Sequence, residues 1–85
     1  MSEQNKKVHD VLKQYWKVAR IRKYTFIQKK DTIWLSASMD SMVKYCAMPR
    51  ETVLDALDAL KTDDRIDYCL CEHENREFVS YTNNW

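Results

Sequence analysis

Apolar residues recur at helical spacing near the start of the chain. Over about residues 4–23 they stand three or four positions apart, which predicts an amphipathic helix with one buried face. That face comprises Val8, Val11, Leu12, Tyr15, Val18 and Ala19. The opposite face is basic, with Trp16 at the border between basic and apolar surface. A run of charge on a helix is first interpreted as a solvated face.

Further along, the pattern predicts a short strand and two more helices. The strand covers about residues 32–35, which are β-branched and aromatic. A second helix is predicted over about 39–47, and a third over about 49–62, with Pro49 in its first turn. The second helix buries Met42, Val43 and Cys46, and the third buries Val53, Ala56, Leu57 and Leu60.

Beyond Arg65 the apolar period changes to two, which predicts a β-hairpin over about residues 65–82. The turn falls at Glu74 and Asn75. If Cys71 lies opposite Phe78, the antiparallel register separates two sets of side chains. One face then holds Ile66, Tyr68, Leu70, Val79 and Tyr81, and the other holds Cys69, Cys71, Phe78 and Ser80.

This order of elements resembles the winged helix-turn-helix family over nearly the whole chain. The resemblance implies an α+β fold, mainly α, with three helices, a short strand and a C-terminal β-hairpin wing, in one domain spanning residues 1–85. The positions that carry it are Met42 and Val43 in the second helix, Cys46 and Met48 beside the turn, Val53, Leu57 and Leu60 in the recognition helix, and Arg65 and Ile66 at the start of the wing.

Two positions depart from the family pattern, in a chain that contains no glycine. Ala47 in the turn and Asp64 at the end of the third helix stand where the family usually has glycine. Aspartate tolerates the left-handed conformation better than most residues, whereas Ala47 predicts a modified turn. Without glycine, we expect Asn or Asp at every left-handed turn position.

Size and composition limit the classes of function. The chain has 85 residues, 45% of them hydrophobic, which suits one modest core and disfavours a large enclosed active site. Its cysteines, Cys46, Cys69 and Cys71, form no CxxC pair, which fits a reducing compartment. No apolar run is long enough to span a membrane, and the N-terminus lacks the apolar core of a secretion signal. We therefore expect a cytoplasmic protein without a membrane partner.

Charge is divided unevenly along the chain. Residues 1–30 contain nine basic and two acidic side chains, a balance of +7, whereas residues 31–85 contain five basic and eleven acidic ones, a balance of −6. The asymmetry indicates two faces with different partners, although the two parts also neutralise one another to some extent.

The third helix has few cations for a helix that reads DNA. Its outward positions are Arg50, Glu51, Thr52, Leu54, Asp55 and Asp58. DNA affinity depends on Lys and Arg that neutralise phosphates, and three carboxylates oppose it. An exposed Leu54 between acidic residues is typical of a protein contact. In the plainer alternative these carboxylates are solvated, with Asp58 in a weak ion pair with Lys61.

The first helix offers an alternative surface for double-stranded DNA. Basic side chains there and just after it can hold phosphates without reading sequence, and the wing tip adds another. These candidates are Lys13, Lys17, Arg20, Arg22, Lys23 and Arg76, and the third helix would add Arg50 and Thr52.

Other chemistry has weak support in the sequence. Cys69, Cys71 and His73 project to one side of a strand, but without a convincing fourth ligand they favour packing over a metal site. Cysteine with histidine lacks an orienting third group and an oxyanion site, so we expect neither an enzyme nor a cofactor.

Aromatic residues, Tyr45 among them, are expected mostly in the core. Phe78 and Trp85 are the exceptions, because Phe78 lies on the second hairpin face and Trp85 ends the chain. With the hairpin cysteines they are candidates for a homodimer patch or for a cover over the first helix.

Two functions remain open. The family resemblance and the basic N-terminal region favour a small DNA-binding regulator that occupies a site and so acts on transcription or replication. The acidic third helix favours an interaction module or inhibitor in which Glu51, Leu54, Asp55 and Asp58 bind a basic partner surface. The resemblance associates such reuse of the fold with small viral or mobile-element proteins.

Overall fold

The computed structural model describes the backbone of residues 1–21, 27–29 and 32–84, and the side chains of residues 1–19 and 33–84. In chain order the elements are α1 (Glu3–Ile21), β1 (Ile27–Lys29), β2 (Thr32–Ser38), α2 (Met39–Cys46), α3 (Arg50–Thr62), β3 (Ile66–His73) and β4 (Arg76–Asn83). Strands β2, β4 and β3 form an antiparallel sheet in that order, and β1 pairs with the other edge of β2. The protein is thus a small α+β domain.

Strand β1 was not predicted, and the bounds of the other elements differ from the predicted ones mainly at β2 and by one residue at several helix and strand ends. Strand β2 continues beyond the predicted 32–35 to Ser38, because β4 pairs with it as far as Ser38 opposite Phe78. Pro49 precedes α3 rather than lying in its first turn, and its carbonyl accepts the Val53 amide at 3.1 Å. Positions 22 and 23, predicted in the first helix, lie outside the described residues.

The hairpin has the register that the sequence predicts. Cys71 lies opposite Phe78 and Leu70 opposite Val79, so the two predicted faces are correct. Strand β2 extends the apolar face, because Leu35 pairs with Tyr81. The sheet therefore presents one continuous apolar surface to the helices.

One core cluster joins the helices to this sheet face. Every predicted inward position of α3 is buried, whereas α1 and α2 contribute both fully and half-buried residues. The fully buried members are Val8, Leu12, Ala19, Met42, Cys46, Val53, Ala56, Leu57, Leu60, Ile66, Val79 and Tyr81. The prediction for Tyr45 is wrong, because its side chain is 60% exposed at the end of α2.

Four residues with positive φ angles form the turns of this glycine-free chain. Asp64 (φ 57°) and Asn75 (φ 64°) are of the expected types, but Ala47 (φ 54°) and Glu74 (φ 53°) are not. Ala47 was predicted to give a modified turn after α2, but it takes the left-handed conformation that glycine favours. The amides of Ala47 and Met48 both donate to the Val43 carbonyl. These two hydrogen bonds and the packing of α2 offset the strain at the alanine Cβ.

Tyr81 connects the centre of the sheet to α1. Its side chain is completely buried, and its hydroxyl donates to the Leu12 carbonyl at 2.7 Å. Its ring lies 5.8 Å from the ring of Trp16, between centroids. Desolvation by burial raises the pKa of Tyr81 well above its usual value, so the hydroxyl stays protonated and able to donate.

We expect Ala47→Gly to stabilise the fold by about 1 kcal/mol, because glycine adopts the left-handed conformation without a clash at Cβ. Urea unfolding would measure the difference. Ala59→Gly is the matched control, because Ala59 lies inside α3, where glycine should destabilise by about 1 kcal/mol. Destabilisation by both changes would contradict strain at Ala47.

We expect Tyr81→Phe to destabilise the fold by about 1 kcal/mol, because a buried hydrogen bond to α1 is lost while the ring remains. Tyr45→Phe removes the same group from an exposed ring and should leave the urea midpoint unchanged. Equal stability of the two variants would show that the Tyr81 hydroxyl contributes nothing.

Candidate functional site

The outward side of α3 carries a row of carboxylates. The buried stripe of α3 packs against α1, α2 and β3, which leaves Glu51, Asp55 and Asp58 exposed. These three residues, here called the acidic ridge, succeed one another by four and three positions. They therefore rise by about 6 Å and about 4.5 Å along one side of the helix.

Arg50, the cation at the start of α3, is bound to the hairpin. Its Nε and Nη2 donate to Oε1 and Oε2 of Glu77, each at 2.7 Å, in a two-pronged ion pair. The hydrogen bond between them raises the pKa of Arg50 and lowers the pKa of Glu77. The two charges cancel, so Arg50 does little to offset the acidic ridge.

Asp58 has a different partner from the predicted Lys61. The Tyr68 hydroxyl donates to Oδ1 of Asp58, and burial with this hydrogen bond raises the pKa of Tyr68 to about 12. Nζ of Lys61 instead lies 3.4 Å from Oδ1 of Asp67 and 5.6 Å from the centroid of the Tyr68 ring. The bond to β3 fixes the position of one ridge carboxylate.

The ridge has less apolar surface than the sequence predicts. Leu54 is half-buried and packs against the core, so its interpretation as an exposed contact is wrong. Thr52 is also half-buried. Leu70 is 41% exposed on β3, on the same strand face as Tyr68. The sequence does not indicate that Leu70 is exposed. Alternation places it on the apolar face of the hairpin, but that face is buried only near the start of β3.

A basic surface lies on α1, away from the ridge. Lys6, Lys13 and Lys17 are exposed on the side opposite the core. Arg65, at the start of the hairpin, is close enough to His9 on α1 to lower the pKa of that histidine, as Lys13 does. Arg65 was predicted only as a position of the family pattern, and the chain before β3 gives no sign that it meets α1.

The remaining candidate cations are distributed differently. Arg76 is exposed beside the hairpin turn, opposite His73. Arg22 and Lys23 lie outside the described residues, as does the side chain of Arg20. The structure therefore places Lys6, Lys13 and Lys17 on one side of α1, and Arg76 at the tip of the hairpin.

The second hairpin face is only partly apolar. Phe78 is half-buried and Cys71 is exposed, with its thiol 3.7 Å from the Phe78 carbonyl. Trp85 lies outside the described residues. The homodimer patch predicted there stays a prediction.

Among the residues that the structure describes, no group of three or more His, Cys, Asp and Glu side chains is arranged to hold a metal ion. No helix in these residues has the length and apolar character that a membrane crossing requires.

Comparisons of the chain with protein-family models, with curated proteins and with solved structures each gave no match. The features of the chain that bear on its function are the acidic ridge and the basic surface of α1.

We expect the stability of the fold to decrease as the pH falls below about 6.5, the usual pKa of histidine. His9 is buried, and burial followed by the charges of Lys13 and Arg65 lowers its pKa. The unfolded chain therefore binds a proton at a pH where folded His9 does not, and protonation favours unfolding.

Urea unfolding between about pH 7.5 and about pH 5.5 would test this, above the range in which carboxylates titrate. His9→Gln should flatten the decrease. His73→Gln, a change at an exposed histidine on the hairpin, should leave it in place. If the free energy of unfolding decreases with falling pH as steeply in the His9 variant as in the wild type, other groups cause the pH dependence.

Proposed function

We propose that this domain has the winged helix-turn-helix architecture and acts as an interaction module that binds a basic surface of another protein through the acidic ridge. Three features support the architecture: the left-handed turn between α2 and α3, the hairpin that follows α3, and the pairing of β2 with β4. The ridge lies on the helix that corresponds to the recognition helix of the family.

The Arg50–Glu77 ion pair is the observation that carries the proposal. A helix that enters a DNA groove needs cations directed at phosphates, and the guanidinium of Arg50 is held by Glu77 through two hydrogen bonds. Glu51, Asp55 and Asp58 form the outward surface of the same helix. This surface repels phosphates and attracts Lys and Arg.

The arrangement of the ridge suits a basic helix or strand. Carboxylates that succeed one another by a turn accept hydrogen bonds from guanidinium groups at similar spacing, and such pairs are often two-pronged. Tyr68 holds Asp58 in place, whereas Glu51 and Asp55 extend into solvent. If the basic partner surface is one that binds nucleic acid, the domain inhibits that protein by covering it.

We expect the domain to bind a helical peptide that carries arginines at i, i+4 and i+7, and to lose about tenfold in affinity when Glu51→Gln and Asp55→Asn are combined. Two exposed ion pairs of up to about 1 kcal/mol each give a change of this size. Fluorescence anisotropy of the labelled peptide measures it. Asp58 is left unchanged because it also bonds to β3.

The matched control is the pair Asp63→Asn with Glu72→Gln, which removes the same charge from exposed positions off the ridge. It should weaken binding far less than the ridge variant. Equal losses in the two variants would mean that net charge rather than the ridge governs binding, and the proposal would then be rejected.

Double-stranded DNA is the second candidate partner, favoured by the cluster of Lys6, Lys13, Lys17 and Arg65. This basic cluster lies on α1 and just before β3, away from the acidic ridge, so the two functions can be tested separately.

For the DNA function, random duplex DNA replaces the peptide in the same anisotropy assay and is titrated at low and physiological salt. Lys13→Gln with Lys17→Gln should lower the salt slope by nearly two if both lysines contact phosphates, whereas the ridge variant should bind DNA as well as or better than the wild type.

A further inference from the structure

Helix α1 has a second stripe that the core covers only in part. Lys7, Val11, Gln14 and Val18 succeed one another by four, three and four positions, which is the spacing of the contact positions in helices that pack side by side. Val11 and Val18 are half-buried, whereas Lys7 and Gln14 are exposed. The core residues Val8, Leu12 and Ala19 lie on a neighbouring face of the helix.

This stripe forms one side of an open groove. A cavity of about 370 Å³ is lined by Val11, Gln14, Tyr15, Val18 and Tyr45. A second cavity of about 220 Å³ shares Tyr15 and Val18 with it and continues to β2. The exposed ring of Tyr45 meets the ring of Tyr15 edge to face, at 6.0 Å between centroids, and forms the opposite wall. Of the described residues that line the two cavities, none carries a charge.

We propose that α1 of a second copy of this chain occupies the groove in the antiparallel direction, to make a two-fold symmetric dimer. In the register that alternates the contact positions, Val11 meets Gln14 of the second copy, and Val18 meets Lys7 of the second copy. Symmetry then repeats both contacts, because such an interface uses one patch on both molecules. The methylene stem of Lys7 packs against Val18, and its ammonium extends to solvent.

Charge complementarity selects this occupant and this direction. Asp10 and Lys17 are exposed and stand just before Val11 and Val18, along one edge of the stripe. An antiparallel partner brings Asp10 of each copy to Lys17 of the other, which gives two opposite-charge pairs. In a parallel arrangement, Val8 and Tyr15 of the second copy lie opposite this edge, and neither can form an ion pair with Asp10 or Lys17.

Like charges within the stripe stay apart in this arrangement. Lys7 of one copy lies opposite Val18 of the other, so the two Lys7 side chains are about 16 Å apart along the axis. The acidic ridge remains accessible, because its carboxylates lie on the exposed side of α3, whereas the groove is lined by residues of α1, α2 and β2. A dimer would therefore carry two ridges.

Two charge reversals test the proposal without changing the apolar contacts. Asp10→Lys sets lysine against Lys17 of the second copy, and Lys17→Asp sets aspartate against Asp10. Each change occurs twice per dimer, so each variant alone should dimerise at least about tenfold more weakly than the wild type. An equimolar mixture restores both opposite-charge pairs and should dimerise as the wild type does.

Analytical ultracentrifugation over a concentration series measures the three dissociation constants and that of the mixture. Asp63→Lys is the control, because Asp63 is exposed and follows α3, outside the stripe and its edge. It should leave dimerisation nearly unchanged. A monomeric wild type at low salt would overturn the proposal and assign the groove to another chain. A dimer that tolerates both reversals would overturn it too, and would place the interface elsewhere, for example on the second hairpin face.

Discussion

A buried hydrogen bond from the hydroxyl of Tyr81 to the carbonyl of Leu12 joins the two layers of the domain. Tyr81 lies on the central strand, between Leu35 on one side and Tyr68 on the other, so its position is set by the whole sheet. Its hydroxyl reaches the middle of α1, and hydrophobic packing has no comparable directional preference. This bond therefore gives the packing of α1 in the core a fixed point on the sheet.

Local periodicity was sufficient to predict most of the fold. The buried stripe of α3 and the register of the hairpin follow from spacings of three, four and two, because one-sided burial imposes those periods. The end of β2 could not be predicted in this way. Residues 36–38 are extended because β4 pairs with them, and that pairing joins segments about 40 residues apart in the chain.

The charged surfaces were harder to predict than the core. Sequence alone gave the carboxylates of the ridge and the lysines of α1, since a helical wheel orders residues within one helix. The sequence did not indicate which side chains within the fold bond to Arg50 and Asp58. Glu77 is 27 residues from Arg50, and Tyr68 meets Asp58 only because β3 packs beside α3. Leu54 was misjudged for the same reason: a position outward of the buried stripe is still covered when a neighbouring element overlaps it.

The ion pair between Arg50 and Glu77 has a consequence for any molecule that contacts both α3 and the hairpin. A two-stranded projection attached only through its own base would have to be immobilised on binding, and the lost conformational entropy would reduce the affinity. Here the first turn of α3 holds β4 before a partner arrives. A molecule that contacts both elements would therefore retain more of its interaction free energy as affinity.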